Sequence, residues 1–390
     1  MKNTLFKITS TILSFLLLCT FSIKGNAAFN DAATDLEQVQ STITDFISDF
    51  DLLSNDLSQN ATIIEKYFVN SSTSQLTVSQ VEAAIYEKQS FLNLKPNLKQ
   101  DNLTAELTYT NIEMSPQEIT LDVNVVREWN YPSSPNISSG SFDTYIFHLI
   151  KTSDNTWSIN NIDGILDEFQ IARLQNSGID TTSALSLDSN MDKIPAIVDS
   201  CIEQATCAMT NFIPFKDPEV STCATGYNRT GAVNYAYTYA LTPNPAYYDF
   251  TSLGGDCTNF ISQCLYAGGG IPMHNNGVNY ATNSWFYVNG STYASCWTKA
   301  NDFRNYITSS YGKINAAATD YYRCSLGDII QLDSGTATHS LIITAFDNPS
   351  GGTDRGDIYV CCHTKNYRNV NFFATWSKSS YKMYKIYGGR

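Results

Sequence analysis

The sequence predicts an α+β protein of two domains: a small helix-plus-curved-sheet domain, then one in which a helix packs on an antiparallel sheet. Three observations predict it. Residues 31–58 and 78–92 carry apolar side chains at helical spacing, and strands follow in which Ile119, Leu121, Val123 and Val125 alternate. Residues 256–265 return to helical spacing, and residues 327–364 read as three strands. Every cysteine beyond the first 28 residues lies after residue 200, so the halves differ in composition.

The first 28 residues read as a secretory signal. Lys2 and Lys7 give a positive start, Ile8 to Ile23 is mostly apolar, and Gly25-Asn26-Ala27-Ala28 supplies small residues for cleavage near Ala27 or Ala28. The alternative is lipidation at Cys19, although Leu16-Leu17-Leu18 lacks the small residue expected before a lipidated cysteine. No other stretch is long and apolar enough to span a bilayer, so the mature form is expected off the membrane.

Residues 29–175 form the first domain. Leu36, Val39, Ile43, Phe46 and Ile47 line one face of its first helix. Phe142 to Ile150 and Trp157 to Ile159 continue the strand pattern between Asn/Pro/Ser/Gly turns. His148 alternates within a strand and reads as structural. The helices-then-sheet order is loosely similar to nuclear-transport-factor-like domains, which implies a binding, positioning or inhibitory module. Residues 176–224 are a linker punctuated by Pro195, Pro214 and Pro218, with one short helix near Ala196 to Asn211.

Residues 225–390 carry the chemistry. Gly254 and Gly255 open a turn, Asp256 is a fitting N-cap, and Phe260, Ile261, Cys264 and Leu265 recur at helical spacing until Gly268-Gly269-Gly270. Cys257 therefore sits in the first turn of a helix, where unpaired N–H groups and the helix dipole favour a thiolate. A base is sought among four histidines, His148, His274, His339 and His363. His274 falls in a Gly/Asn-rich loop and is expected to be exposed. Residues 339–346 and 357–364 flank Asp347-Asn348-Pro349-Ser350-Gly351-Gly352 as an antiparallel hairpin. If Phe346 faces Asp357, His339 faces Thr364, and a one-residue shift puts it opposite His363. Cys257, His339 and His363 would then be nucleophile, base and orienter.

The other features admit two readings. Trp285, Tyr287 and Trp297 could form a platform for sugar or peptide, or pack beneath long loops. Tyr235, Tyr237 and Tyr239 read as packing, and Asp328 as the end of a turn. Cys361-Cys362-His363 has ligands too close together, on alternating faces, for a zinc site, so no metal or cofactor is expected.

The ordered pieces Tyr227-Asn228-Arg229, Ala232-Val233-Asn234-Tyr235-Ala236, Asp256 to Gln263, Ala267-Gly268-Gly269, Trp285-Phe286-Tyr287, Ser295-Cys296-Trp297, Gly327 to Ile330, His339-Ser340 and His363-Thr364 resemble the Putative amidase domain family of secreted Gram-positive bacterial proteins. That family is similar to papain-like cysteine hydrolases of the cell wall. The resemblance implies a papain-like domain that cleaves amide bonds in cell-wall peptides. It implies Cys257 as nucleophile, His339 as base and His363 as third member. Asp256 would cap the helix or orient a substrate amine. The oxyanion donor would be the Cys257 N–H with Asn228 or Gln263.

Losing Lys2, Lys7 and Lys24 with the signal takes the formal charge from −13 to −16. Such a surface repels nucleic acid, which is not expected as a partner. Export makes disulfides possible among the eight cysteines other than Cys257, with Cys201, Cys207, Cys223, Cys296 and Cys324 in loop-like contexts and Cys264 on an apolar helix face. The expected activity is a secreted cysteine amidase. The alternatives are a non-catalytic surface or spore-associated binding protein, and a transpeptidase in which an amine replaces water.

Overall fold

The structure, a computed structural model, describes residues 7–10, 26–58, 60–132, 134–210, 225–347, 356–376 and 380–390. Cys19 and most of the apolar run of the signal, Pro214, Pro218 and Cys223 of the linker, and the turn residues Asn348 to Gly352 lie outside the described residues, as does the side chain of Cys207. The chain is mixed α+β and divides into two compact units, residues 1–132 with 142–200, and residues 133–141 with 201–390.

The first unit runs β1 (Lys7–Ser10), α1 (Asn26–Ser54), α2 (Ser72–Leu94), β2 (Asp101–Met114), β3 (Glu118–Tyr131), β4 (Ser134–Lys151), β5 (Trp157–Asp163), α3 (Glu168–Asn176), α4 (Ala184–Asp188) and α5 (Ile194–Thr210). Its strands lie in the order β1-β2-β3-β4-β5. Cleavage near Ala27 or Ala28 would remove β1, which runs parallel to β2. The predicted face of α1 is buried at Val39, Ile43, Phe46 and Ile47. Ser71 caps α2 in a reciprocal capping box with Ser74. On β3, Ile119, Leu121, Val123 and Val125 all point into the core. Strand β2 has no counterpart in the sequence reading. Its buried Leu103, Ala105 and Leu107 alternate, but the signal is diluted by left-handed Asn102 and Asn111.

This unit buries one cation among carboxylates. Arg127 Nε lies 2.8 Å from Asp51 Oδ1, and Nη1 lies 2.8 Å from Asp143 Oδ2. Removing one member of such a set strands a buried charge and costs about 3–5 kcal/mol. His148, as expected of a structural residue, bridges Thr120 and Asp163.

The second unit runs β6 (Thr225–Gly226), α6 (Arg229–Tyr239), α7 (Cys257–Gln263), β7 (Tyr287–Asn289), β8 (Thr292–Tyr293), α8 (Ser295–Thr298), α9 (Ala300–Thr308), β9 (Ile314–Thr319), β10 (Ile329–Asp333), β11 (Ala337–Phe346), β12 (Ile358–Cys362), β13 (Asn366–Asn371), α10 (Phe372–Trp376) and β14 (Tyr381–Gly389). Its sheet order is β13-β12-β11-β10-β14, with β6 and β9 both paired to β14. The three predicted strands are β10, β11 and β12, and they pair antiparallel.

The hairpin register differs by one residue near the turn, where Phe346 faces Ile358 instead of Asp357. A bulge between Ile343 and Ala345 then sets Ile342 opposite Cys361. Strand β12 stops at Cys362, so His363 and Thr364 leave the ladder in a turn, with Thr364 at φ +85°.

Helix α7 packs on β11, and all seven of its residues are buried. Helix α6 closes on the turn after α7, where a Cβ on Gly231 would come within 2.3 Å of the Gly268 carbonyl oxygen. Asp328 does more than end a turn. It is fully buried and accepts from Arg229 Nη1 at 2.6 Å, Ser325 N at 2.7 Å and Ile386 N at 3.0 Å, tying α6 to β10 and β14. The described thiols of Cys257, Cys264, Cys296, Cys361 and Cys362 are free and buried, and Cys201 and Cys324 are likewise buried in the interior.

Candidate active site

Helix α7 begins at Cys257 because Gly254 and Gly255, at φ +106° and +129°, turn the chain sharply into it. A Cβ on Gly255 would also crowd Thr364 Oγ1 at 3.2 Å, and that hydroxyl accepts the Asp256 N–H at 3.0 Å.

The Asp256 side chain does not cap α7, contrary to the sequence expectation. Both its oxygens are claimed elsewhere. Oδ1 accepts from Phe250 N at 2.9 Å and from Asn259 Nδ2 at 2.7 Å, and Oδ2 lies 2.6 Å from His363 Nδ1. Asp256 and His363 are each 1% exposed, which leaves Asp256 no access to a substrate amine. His363 donates from Nε2 to the Tyr239 carbonyl at 2.7 Å, and its Nδ1 lies against Asp256 Oδ2. Its ring stacks on Phe260 at 4.0 Å. With both nitrogens engaged among α6 and α7, His363 does not orient His339; it pins the residue that precedes the nucleophile.

His339 lies on the other side of β11. Ser340 sends its hydroxyl to Thr258 Oγ1 of α7 at 3.0 Å, and strand alternation turns His339 the opposite way, with its ring 6.1 Å from that of Trp376. The structure therefore separates the two histidines that the hairpin argument placed together. Cys257 and His339 are joined differently. They are the residues immediately before Thr258 and Ser340, whose hydroxyls meet, and the Ser340 backbone N–H faces the Cys257 thiol. The departure of β12 at Cys362 frees that edge of β11.

Burial pushes the Cys257 thiol above its ordinary range, opposed by the Thr258 hydroxyl and by the Ser340 and Thr258 N–H groups. The helix-start argument for a ready thiolate is thus outweighed by desolvation. Cys361 and Cys296 are pushed up to about 12, also by burial.

Four further expectations change. Asn228 caps α6 by accepting the Gly231 N–H at 2.9 Å, and Gln263 accepts the Tyr235 hydroxyl at 2.8 Å at the far end of α7. Gln263 is not placed to meet an oxyanion at Cys257, since six residues of helix are about 9 Å of rise, and Asn228 packs beyond it, its N–H on the Gly269 carbonyl at 2.9 Å. Trp285 and Trp297 are fully buried and hold the underside of α7, through Nε1 bonds to Ser262 Oγ at 2.9 Å and Asn259 Oδ1 at 2.8 Å. They are no substrate platform. His274 is half-buried, and its backbone pairs with Trp285 in both directions. Asn259, Thr258 and Ser340 were missed by the sequence reading. The available signal was polar residues interleaved with Phe260 and Ile261, which leaves α7 without an apolar–polar division.

Residues 226–386 match the model of the family described as Putative amidase domain. Two proteins of Bacillus subtilis (strain 168), each named as uncharacterized, are similar in sequence. YhbB is 33% identical over 150 residues, 35% of this chain and 45% of its own. YjcM is 30% identical over 175 residues, 42% of this chain and 37% of its own. The chain thus spans less than half the length of either relative. No solved structure matches it.

Proposed function

We propose that the amidase-family domain hydrolyses amide bonds through an acyl-enzyme on Cys257, with peptides of the bacterial cell wall as substrate, in a protein exported by the signal at residues 1–28. The observation that carries this reading is a buried cysteine at a helix start pinned by the Asp256–His363 pair and tied to the strand of His339 through the Thr258–Ser340 hydroxyl contact.

In this reading a base takes the thiol proton as sulfur attacks the carbonyl carbon, then gives it to the departing amine as the C–N bond breaks, and His339, the residue before Ser340, is the candidate for that base. Water, deprotonated by the same imidazole, cleaves the thioester and restores the thiol. Because burial holds the thiol up, the base acts during attack and does not generate a resting thiolate. No resident cofactor is needed for these steps.

The test is digestion of purified peptidoglycan by the full chain, with mass analysis of the fragments. Wild type releases peptide or amine-bearing fragments that Cys257→Ala does not. Identical fragment sets from both proteins would remove the cysteine from the chemistry.

A second measurement follows from the raised thiol. Since its folded value lies above the ordinary one, near 8.5, the thiolate fraction is small at neutral pH and grows only as pH rises past that range. Alkylation of Cys257 by iodoacetamide therefore accelerates continuously from pH 7 to pH 10. A rate already level by pH 7 would indicate a preformed thiolate.

A further inference from the structure

The buried tryptophans leave the exposed aromatic surface of this unit to tyrosines. A groove of about 700 Å³ is lined by Asn276, Asn279, Tyr280, Thr282, Asn283 and Tyr311, among other residues, none of them charged. Tyr280 is 54% exposed and Tyr311 48%. Tyr280 also stands at φ +57°, a left-handed conformation that a bulky side chain rarely adopts. The ring is half exposed, with one edge against Tyr293.

The surroundings hold it there. Tyr280 N–H donates to the Tyr293 carbonyl at 2.8 Å. Asn279 Oδ1 accepts Tyr293 N–H at 2.9 Å, while its Nδ2 donates to the Ser291 carbonyl at 2.9 Å. Strain of this kind, kept by surrounding bonds, gathers at ligand sites.

The groove is connected to the nucleophile. The Tyr280 ring meets Tyr293 edge-on at 5.0 Å, and Tyr293 meets Phe250 at 4.8 Å. The Phe250 N–H is one of the donors that hold Asp256, the residue before Cys257.

We propose that this groove is the subsite for the uncharged sugar portion of the substrate, an oligomer of N-acetylated amino-sugar, with Tyr280 as its stacking face. Such sugars present apolar C–H faces to an aromatic ring, and hydroxyl and acetamido groups to neutral amides. Both partners are on the groove wall. A lining without charge selects a neutral ligand, and the acidic surface of the protein does not repel one. This assignment deepens the cell-wall reading of Cys257 and rests on it for the identity of the substrate.

The test separates binding from chemistry. The full chain carrying Cys257→Ala is titrated calorimetrically with the tetramer of N-acetylglucosamine, alone and with Tyr280→Gly added. Glycine adopts φ +57° freely, so the second protein holds or raises its melting temperature. Binding by the first protein, weakened at least tenfold in the second, is the expected result. No binding, or equal binding by both, overturns the proposal. A stem peptide bound in a Tyr280-dependent manner, with the sugar ignored, also overturns it. Unchanged peptidoglycan cleavage by Cys257→Ala would instead defeat the cysteine mechanism and leave the sugar result standing.

Discussion

Replacing His339 with alanine lowers kcat/KM on a soluble amide substrate by about 10²–10⁴-fold at pH 7, the usual worth of a positioned general base. The deficit narrows as pH rises. Burial keeps the Cys257 thiol protonated at neutral pH, so without the imidazole only the small thiolate fraction attacks. Alkaline solution increases that fraction in the variant more than it helps wild type. Recovery stays incomplete, because the departing amine still lacks its proton donor. Wild-type rates from His339→Ala at pH 7 would exclude this residue as the base. The Cys257 alkylation profile, measured on the same variant, separates loss of the base from collapse of the site.

The second large effect belongs to Asp256, which holds three donors from three parts of the chain. Alanine there leaves His363 buried beside a cavity, strips Asn259 and Phe250 of an acceptor, and frees the start of α7. Stranding three buried donors, at about 1–3 kcal/mol each, costs about 3–5 kcal/mol after partial relaxation. For a unit of this size that lowers the melting temperature by roughly 6–20 °C, at about 2–4 °C per kcal/mol. Asparagine keeps one acceptor oxygen and the side-chain volume, so Asp256→Asn loses distinctly less stability than Asp256→Ala. Both lose turnover, because the residue beside the nucleophile is no longer pinned. Thermal melts run beside amide turnover check the pair. Equal melting temperatures for alanine, asparagine and wild type would show that the carboxylate does not hold the helix start.

Local patterns were the legible part of the fold. Apolar spacing marked α1 and α7, clean alternation marked β3, and strand-like segments flanking a turn-rich stretch marked the β11–β12 hairpin. The nucleophile and base candidates were also visible, as a cysteine after Gly-Gly-Asp and a histidine opening a strand. What stayed hidden depends on partners distant in the chain. Asp256 and His363 are 107 residues apart, and nothing local tells a carboxylate that caps its own helix from one claimed by an imidazole. Trp285 and Trp297 sit in loop-rich sequence, where exposure was an open reading. Their indole N–H groups find Ser262 and Asn259 only once the loops fold over α7. Past the bulge, the pairing of Ile342 with Cys361 extrapolates His363 to Ser340 and not to His339, and β12 ends before reaching it.

Because β11 shows one side chain to α7 and the next to Trp376, the order of two letters fixes the handedness of the site. Exchanging them, as His339→Ser with Ser340→His, alters neither mass, charge nor composition. Yet it drives an imidazole into the space where Ser340 met Thr258 and Gln331, and leaves a hydroxyl beside Trp376. An anagram of this strand would keep every atom and lose the contact that ties it to α7.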